Sequence, residues 1–403
     1  MARKTTAQPK PKTYATHVTG PGGKRIYVRG KTKEELQQKV AEVKMAMGAG
    51  VDITDDTLFS DYARMWARVY KAPPKLRPNS YATLTGNLDR FVLPSFEGMK
   101  LRDVKPLHIQ NFLSAIAGKS ASTQQKCIQI VKAVFKTAEE NGLIMKNPVR
   151  SDVRPMGAPV KEQEEALTDQ QALTLLNAVK GTRAFLFCLL ALTTGMRRGE
   201  ILGLMWEDID LEARNLHVQH NKTFVEGSSD APVTTLLKSS AANRVIPIPD
   251  ALCQALKEEK EHSTSPYVLC MSNGGSLSKA SFASLWSIVT ARTATEDRPL
   301  GSAIRGSNSG PLKASLDFSC HPHQLRHTYI TQLFEAGMDV KQVQYLAGHS
   351  TPDMTLKVYT HYRRKVREKE TAEKVSQALG YISRSATQPN AAEEPPAQHD
   401  VAP

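Results

Sequence analysis

Apolar residues along this chain follow two periods: alternation near the start, and helical spacing almost everywhere after it. "TYATHV" (13–18) and "KRIYVRG" (24–30) alternate around the turn "TGPGG" and predict two strands behind a disordered start. A helix is expected next, because "KEELQQKVAEVKMAM" carries Leu36, Val40, Val43 and Met47 at helical spacing. Thr32 stands as its cap, with Glu35 at the capping-box position. "GAGVDITDD" (48–56) reads as a linker. From 57 to 150 the pattern is wholly helical, in "TLFSDYARMWARVY", "SYATLTGNLDRFVLPSF", "KPLHIQNFLSAIA" and "SASTQQKCIQIVKAVFKTAEENG". Asn141-Gly142 ends the last of these. The polar, proline-bearing "NPVRSDVRPMGAPVKEQEEA" is expected to be an exposed connector.

A third block, 165–385, opens with helices at "TDQQALTLLNAVK" and "RAFLFCLLALTTG" and passes into "RGEILGLMWEDID". Short strands are predicted at "NLHVQH", "KTFVEG", "PVTTLLKSS" and "NRVIPIP", and helices return from Asp250. Residues 291–317, rich in Gly, Ser and Pro, read as one long loop. The tail 386–403 is expected to be disordered. The whole is a multidomain α+β chain: a small sheet-plus-helix module (1–50), an all-α block (57–150) and a mainly α block with a small antiparallel sheet (165–385).

Composition narrows the class. In 403 residues no apolar run approaches the roughly 20 that a membrane span needs. The start "MARKTTAQPKPK" lacks the apolar core of a signal peptide. Five scattered cysteines with no CxxC read as reduced thiols and give no zinc site. Net charge is +13, and residues 1–50 hold eleven Lys/Arg against three Glu, a local +8. A polyanionic partner such as nucleic acid follows from that imbalance, with a solubilising basic tail as the plainer alternative.

Several residues then stand out against their local patterns. In "TTGMRRGEILGLMW", Gly195 can end one helix and Arg197 enters the next, with Glu200 three residues on. A cation at a helix entrance opposes the macrodipole, so an anion is expected in front of it. "TLLKSSAANRVIPIP" resembles a β-hairpin with Lys238 at its turn edge. In "CHPHQLRHTYIT", His323 and Arg326 share one helix face while Leu325, Tyr329 and Leu333 face a core. His321 and His323 have no acidic or cysteine ligand nearby in sequence to complete a metal site. "DVKQVQYLAGHSTPDMTLKVYTHY" predicts a helix ending at Gly348, His349 just after it, and Tyr359 two turns into the next helix. Each residue alone is explained by surface, cap or core. Together, two arginines, a lysine, two histidines and a tyrosine are what attack on a phosphodiester requires. The arginines neutralise the non-bridging oxygens, and a phenolate leaves well enough to keep the phosphotyrosyl bond reversible.

The order "TGMRRGE", Lys238, "HPHQLRHTYIT", "LAGHS", "MTLKVYTHY" resembles the tyrosine recombinase (phage integrase) family. The resemblance implies catalytic roles for Arg197, Lys238, His323, Arg326, His349 and Tyr359, with Glu200 in support. It also implies a core-binding domain over 57–150 and a catalytic domain over 165–385. The first module, 1–50, is similar to the three-stranded arm-binding domains of integrases from phages and conjugative transposons of Gram-positive hosts. Lys24, Arg25, Arg29 and Lys31 are its DNA-binding candidates. The implied chemistry is site-specific DNA strand exchange, integrating and excising a mobile element without metal or cofactor. The implied partners are double-stranded core and arm DNA, DNA-bending or excision factors, and copies of the chain in a synaptic tetramer. Residues 372–382 are the candidate link between those copies. The implied place is the bacterial cytoplasm, on the nucleoid. A type IB topoisomerase shares the phosphotyrosine chemistry but needs no second DNA grip, and a silent DNA-binding regulator would not need the full residue set.

Overall fold

The computed structural model describes residues 13–20, 23, 25–51, 56–159, 165–224, 233–234, 243–304 and 312–387. It divides into two compact units, Met1–Gln163 and Glu164–Pro403. The basic residues 1–12, Lys24, the segment carrying Lys238 and the tail from 388 lie outside the described residues.

In the first unit, β1 (Tyr14–Thr19) pairs antiparallel with β2 (Arg25–Gly30), Tyr14 opposite Gly30 and Thr19 opposite Arg25. These two strands are what the described residues show of the three-stranded sheet that the resemblance implies. Val18 and Val28 turn inward, towards α1 (Lys33–Gly48). Gly30 permits the close approach of that helix, since a Cβ there would lie 2.6 Å from the Leu36 nitrogen. Thr32 caps α1 by accepting from the Glu35 N–H at 3.1 Å. The Glu35 carboxylate reaches one residue further back than a capping box, to the Lys31 N–H at 2.7 Å.

The helical block is built from α2 (Phe59–Trp66), α3 (Pro78–Asn87), α4 (Pro106–Ala115) and α5 (Ala121–Glu140). Both α2 and α3 run on into wider π turns, 67–71 and 88–92, which apolar spacing alone does not reveal. The core is aromatic: Phe59 lies 4.4 Å from Phe96 and 5.2 Å from Phe135, ring centre to ring centre. Asn141 caps α5 and Gly142 follows in the left-handed region. The connector after it is less exposed than its composition suggests. Val153 is buried in the helical core, and the fully buried Gln124 binds the connector's Met156 N–H at 2.9 Å. The Gln124 amide also donates to the carbonyls of Ala117 and Lys119, both at 2.8 Å.

The second unit begins with α6 (Asp169–Val179), α7 (Ala184–Thr194) and α8 (Arg198–Gly203). A three-stranded antiparallel sheet follows, β3 (Ile209–Asp210) beside β4 (Asn215–Val218). A separate pair, β5 (Asn221–Lys222) and β6 (Val233–Thr234), precedes its third strand, β7 (Arg244–Pro247). Then come α9 (Asp250–His262) and α10 (Lys279–Arg292). The predicted long loop after α10 is partly structured, with β8 (Ala303–Ile304) paired to β9 (Leu312–Lys313). Burial of Ala314 and Leu316, and main-chain bonds between Leu316 and both Arg292 and Ala294, tie its far end to α10. The unit ends with α11 (Pro322–Glu335), α12 (Val340–Ala347) and α13 (Pro352–Thr387).

Nine of the eleven residues of α7, Thr194 among them, are buried, so this helix is the axis of the unit, and α11 packs directly on it. All five cysteines are free. Among the described residues no helix is long and apolar enough to cross a membrane. Replacing Gln124 by Leu keeps the volume but orphans two carbonyls and an N–H, at about 1–3 kcal/mol for each buried group left unmet. Urea unfolding of the full chain should show a loss of at least about 2 kcal/mol, and an unchanged midpoint would contradict this role for Gln124.

Candidate active site

The site is assembled around the C-terminal end of α12. A helix leaves its last four carbonyls without intrahelical partners, at the negative end of its dipole. Gly348, at φ +63°, turns the chain so that its own N–H returns to the Tyr345 carbonyl and the His349 N–H to that of Gln344. The next three carbonyls each receive one arginine. Leu346 accepts from Arg244 Nε at 2.7 Å, Ala347 from Arg326 Nη2, and Gly348 from Arg197 Nη2.

Each arginine arrives from a different element. Arg197 caps α8, just after Gly195 at φ +58° has turned the chain out of α7. A side chain at Gly195 would strike the Tyr329 ring of α11 at 2.2 Å, so glycine is required twice over. The Gly195 carbonyl also accepts from Arg326 Nη1. Within the chain, the anion held against Arg197 is Glu200. Its carboxylate accepts from the Arg197 N–H at 2.9 Å and guanidinium at 2.7 Å, and from Arg244 Nη2 at 3.0 Å. Burial pushes the Glu200 carboxyl up, but Arg244 and then Arg197 outweigh it and hold it below the ordinary value.

Arg326 is the largest departure from the sequence expectation. It does not share a solvent-facing stripe with His323: it is 2% exposed, while His323 is exposed one turn earlier on α11. Burial first, then the charge of Arg197, pulls the Arg326 pKa down to about 9, which still leaves it cationic at neutral pH. His349 is buried beside it, Nδ1 2.8 Å from the Thr355 hydroxyl. Burial, then Arg326, Arg197 and Arg244, lower the His349 pKa to about 3, so the imidazole is neutral at neutral pH.

Thr355 sits in the first turns of α13, and Tyr359 is one turn further along the same face. The Tyr359 ring rests against Phe334 of α11 at 5.1 Å and is half-buried. The structure thus brings Arg197, Glu200, Arg326 and His349 together, sets His323 at the rim, and delivers the helix of Tyr359 through Thr355. Lys238 lies outside the described residues. Arg25, Arg29 and Lys31 are in the first unit and exposed. Arg244 and Thr355 escaped the sequence reading, although an arginine heading the apolar strand "NRVIPIP" was a visible signal. A second cluster of Glu207, Asp208 and His220 is a structural brace. There the buried Asp208 carboxylate is filled by the Met205 N–H, Gln219 and His220.

Three guanidiniums around one carboxylate leave two positive charges in excess, in a water-poor site suited to an oxyanion. The phage integrase family model matches residues 165–365, and the N-terminal SAM-like domain model of phage integrases matches 58–117. A tyrosine recombinase XerC-like protein of Caldanaerobacter subterraneus subsp. tengcongensis is 31% identical over 354 residues, 82% of this chain and 86% of that protein. The Tn1549 transposon integrase, solved with a circular intermediate DNA, superposes with a TM-score of 0.60 at 20% identity, over 78% of this chain and 99% of that one. A lambda integrase tetramer bound to a Holliday junction gives 0.55 at 16%, over 86% and 94%. The chain belongs to the phage integrase family of tyrosine recombinases. Its activity is site-specific recombination.

Because His349 is held neutral when folded, acid stabilises the unfolded chain, whose imidazole protonates near the ordinary pKa of about 6.5. Stability from this residue is therefore complete above that pH and is lost as pH falls from about 6.5 towards 3. Urea unfolding between pH 7 and about 4.5 should show a shallower loss in His349→Gln than in the wild type, and parallel slopes would contradict the burial argument.

Proposed function

We propose that this recombinase cleaves DNA with Tyr359, forming a 3′-phosphotyrosyl link, and reseals it to a partner strand. What carries the reading is the α12 terminus, where two motif arginines and His349 meet and where Thr355 brings in the helix of Tyr359. The phenol oxygen attacks phosphorus, and the bond to the 5′-oxygen breaks. Lys238 supplies the proton to that leaving oxygen as general acid. His323, exposed at the rim, hydrogen-bonds a phosphate oxygen or accepts the tyrosine proton. Arg197 turns its open side to the non-bridging oxygens, its side chain being 35% exposed. Arg326 and His349 lie just beneath, where a desolvated cation and a neutral imidazole stabilise the pentavalent phosphorane with little reorganisation. A 5′-hydroxyl from a partner strand reverses the steps. Bond energy is kept in the phosphotyrosine, so no ATP is called for.

The first unit is suited to hold the DNA. Register and alternation put His17, Thr19, Arg25, Tyr27 and Arg29 on the outer face of the β1–β2 ribbon, away from α1. Such a basic, aromatic ribbon fits arm DNA. In the helical block, Lys71, Lys126 and the amides of Asn79, Asn87 and Gln129 line a groove suited to core-site phosphates and base edges. Integration and excision of a mobile element in the bacterial cytoplasm is the process this arrangement serves, with DNA-bending or excision factors as helpers. Assembly into a tetramer is assigned to the end of α13. That helix has 36 residues, and 370–379 are exposed throughout, Val375 and Leu379 included.

Tyr359→Phe should keep site binding and form no covalent adduct on a nicked suicide duplex. Adduct formation by that variant would refute the nucleophile assignment. Deleting residues 370–403 should leave cleavage of a single site intact but weaken two-site complexes, in gel-shift titration, by at least about tenfold. Unchanged assembly would remove the α13 role.

A further inference from the structure

We infer that Arg244 is a positioning residue for strand cleavage, holding Arg197 and the His349 turn in place through Glu200 and the end of α12. This rests on the phosphotyrosine reading above. Arg244 is the first residue of β7, six positions after Lys238 in the sequence. Its side chain is wholly buried, with no surface open to solvent. It spans two elements from there: Nη2 donates to Glu200 of α8 at 3.0 Å, and Nε to the Leu346 carbonyl of α12 at 2.7 Å. Gly348 is packed so closely on it that a Cβ would lie 2.7 Å from Nη1.

Stability alone gives little reason for this choice. A buried ion pair is matched or bettered by apolar side chains of similar volume, because desolvation offsets its attraction. What an apolar pair would not do is leave a charged, oriented carboxylate for Arg197. Glu200 takes Arg244 on one oxygen, which also accepts the Arg197 N–H, and the Arg197 guanidinium on the other. Arg244 thus fixes the carboxylate that fixes the phosphate-facing arginine. On its other side it fixes the carbonyl ladder that precedes His349. Lysine would keep the charge but lose the planar fork that serves both acceptors.

The test uses the full chain and a nicked suicide duplex bearing a core site selected from random-sequence DNA by binding to the wild type. The single-turnover rate of covalent-complex formation and the Kd are measured for wild type, Arg244→Lys, Glu200→Gln and the double variant. The inference expects each single variant to bind within about threefold of wild type and to cleave at least about tenfold more slowly. It expects the double variant to be no slower than the slower single, within about threefold, because both act on Arg197 through one chain of contacts. Losses that multiply, or Arg244→Lys cleaving at the wild-type rate, would overturn it. The charge-balanced pair Arg244→Met with Glu200→Gln separates folding from positioning. Wild-type urea stability with slow cleavage supports the inference, and cleavage restored along with stability overturns it. If the wild type itself forms no adduct, the phosphotyrosine reading fails instead.

Discussion

Three consecutive carbonyls at the C-terminal end of one short helix, each holding a different arginine, are the interaction on which the catalytic unit depends. The left-handed turn at Gly348 uses the carbonyls of Gln344 and Tyr345 and leaves those of Leu346, Ala347 and Gly348 pointing outward. Guanidiniums from β7, α11 and α8 take them in turn. The negative end of the dipole offsets part of the repulsion among these cations. Residues 197, 244, 326 and 349, distant in sequence, become neighbours because each has a partner at the same helix end.

The electrostatics follow from that gathering. Crowded cations in a dry site repel one another, and the Glu200 carboxylate pairs with two of them, Arg197 and Arg244. The same field keeps His349 neutral, with Thr355 on its Nδ1 side. In the proposed reaction a phosphodiester would supply the negative charge the cluster lacks, coupling its binding to the geometry for attack. Thr355 and Tyr359 share a face of α13, and Phe334 supports the phenol from α11. The proposed nucleophile and the cationic cluster therefore rest on the same packed helices.

Much of this was legible because the chemistry sits at helix ends, where cap residues are local signals. Gly195, Gly348, Pro322 and Pro352 all punctuate helices where the pattern places them. The motif order gave the family resemblance. The direction of side chains was less legible. Arg326 reads as the polar face of an amphipathic helix, yet it is buried, because its partners are main-chain carbonyls of distant segments that no spacing rule displays. An anion is expected before Arg197, and within the chain Glu200 already supplies one. Arg244 heads an apolar strand, and its partners on α8 and α12 lie far from it in sequence. The π turns at 67–71 and 88–92 and the short β8–β9 pair depend on tertiary packing, which local patterns do not carry.

The most direct measurement is a crystal structure of the full chain with cleaved core-site DNA and orthovanadate, a mimic of the pentavalent phosphorus. The expected result is vanadium joined to the Tyr359 oxygen and the DNA ends, with Arg197 on its oxygens. The three guanidiniums would still be bound to the carbonyls of residues 346–348. Vanadium joined to another side chain, or arginines that leave those carbonyls to reach it, would contradict the claim that the end of α12 organises the site.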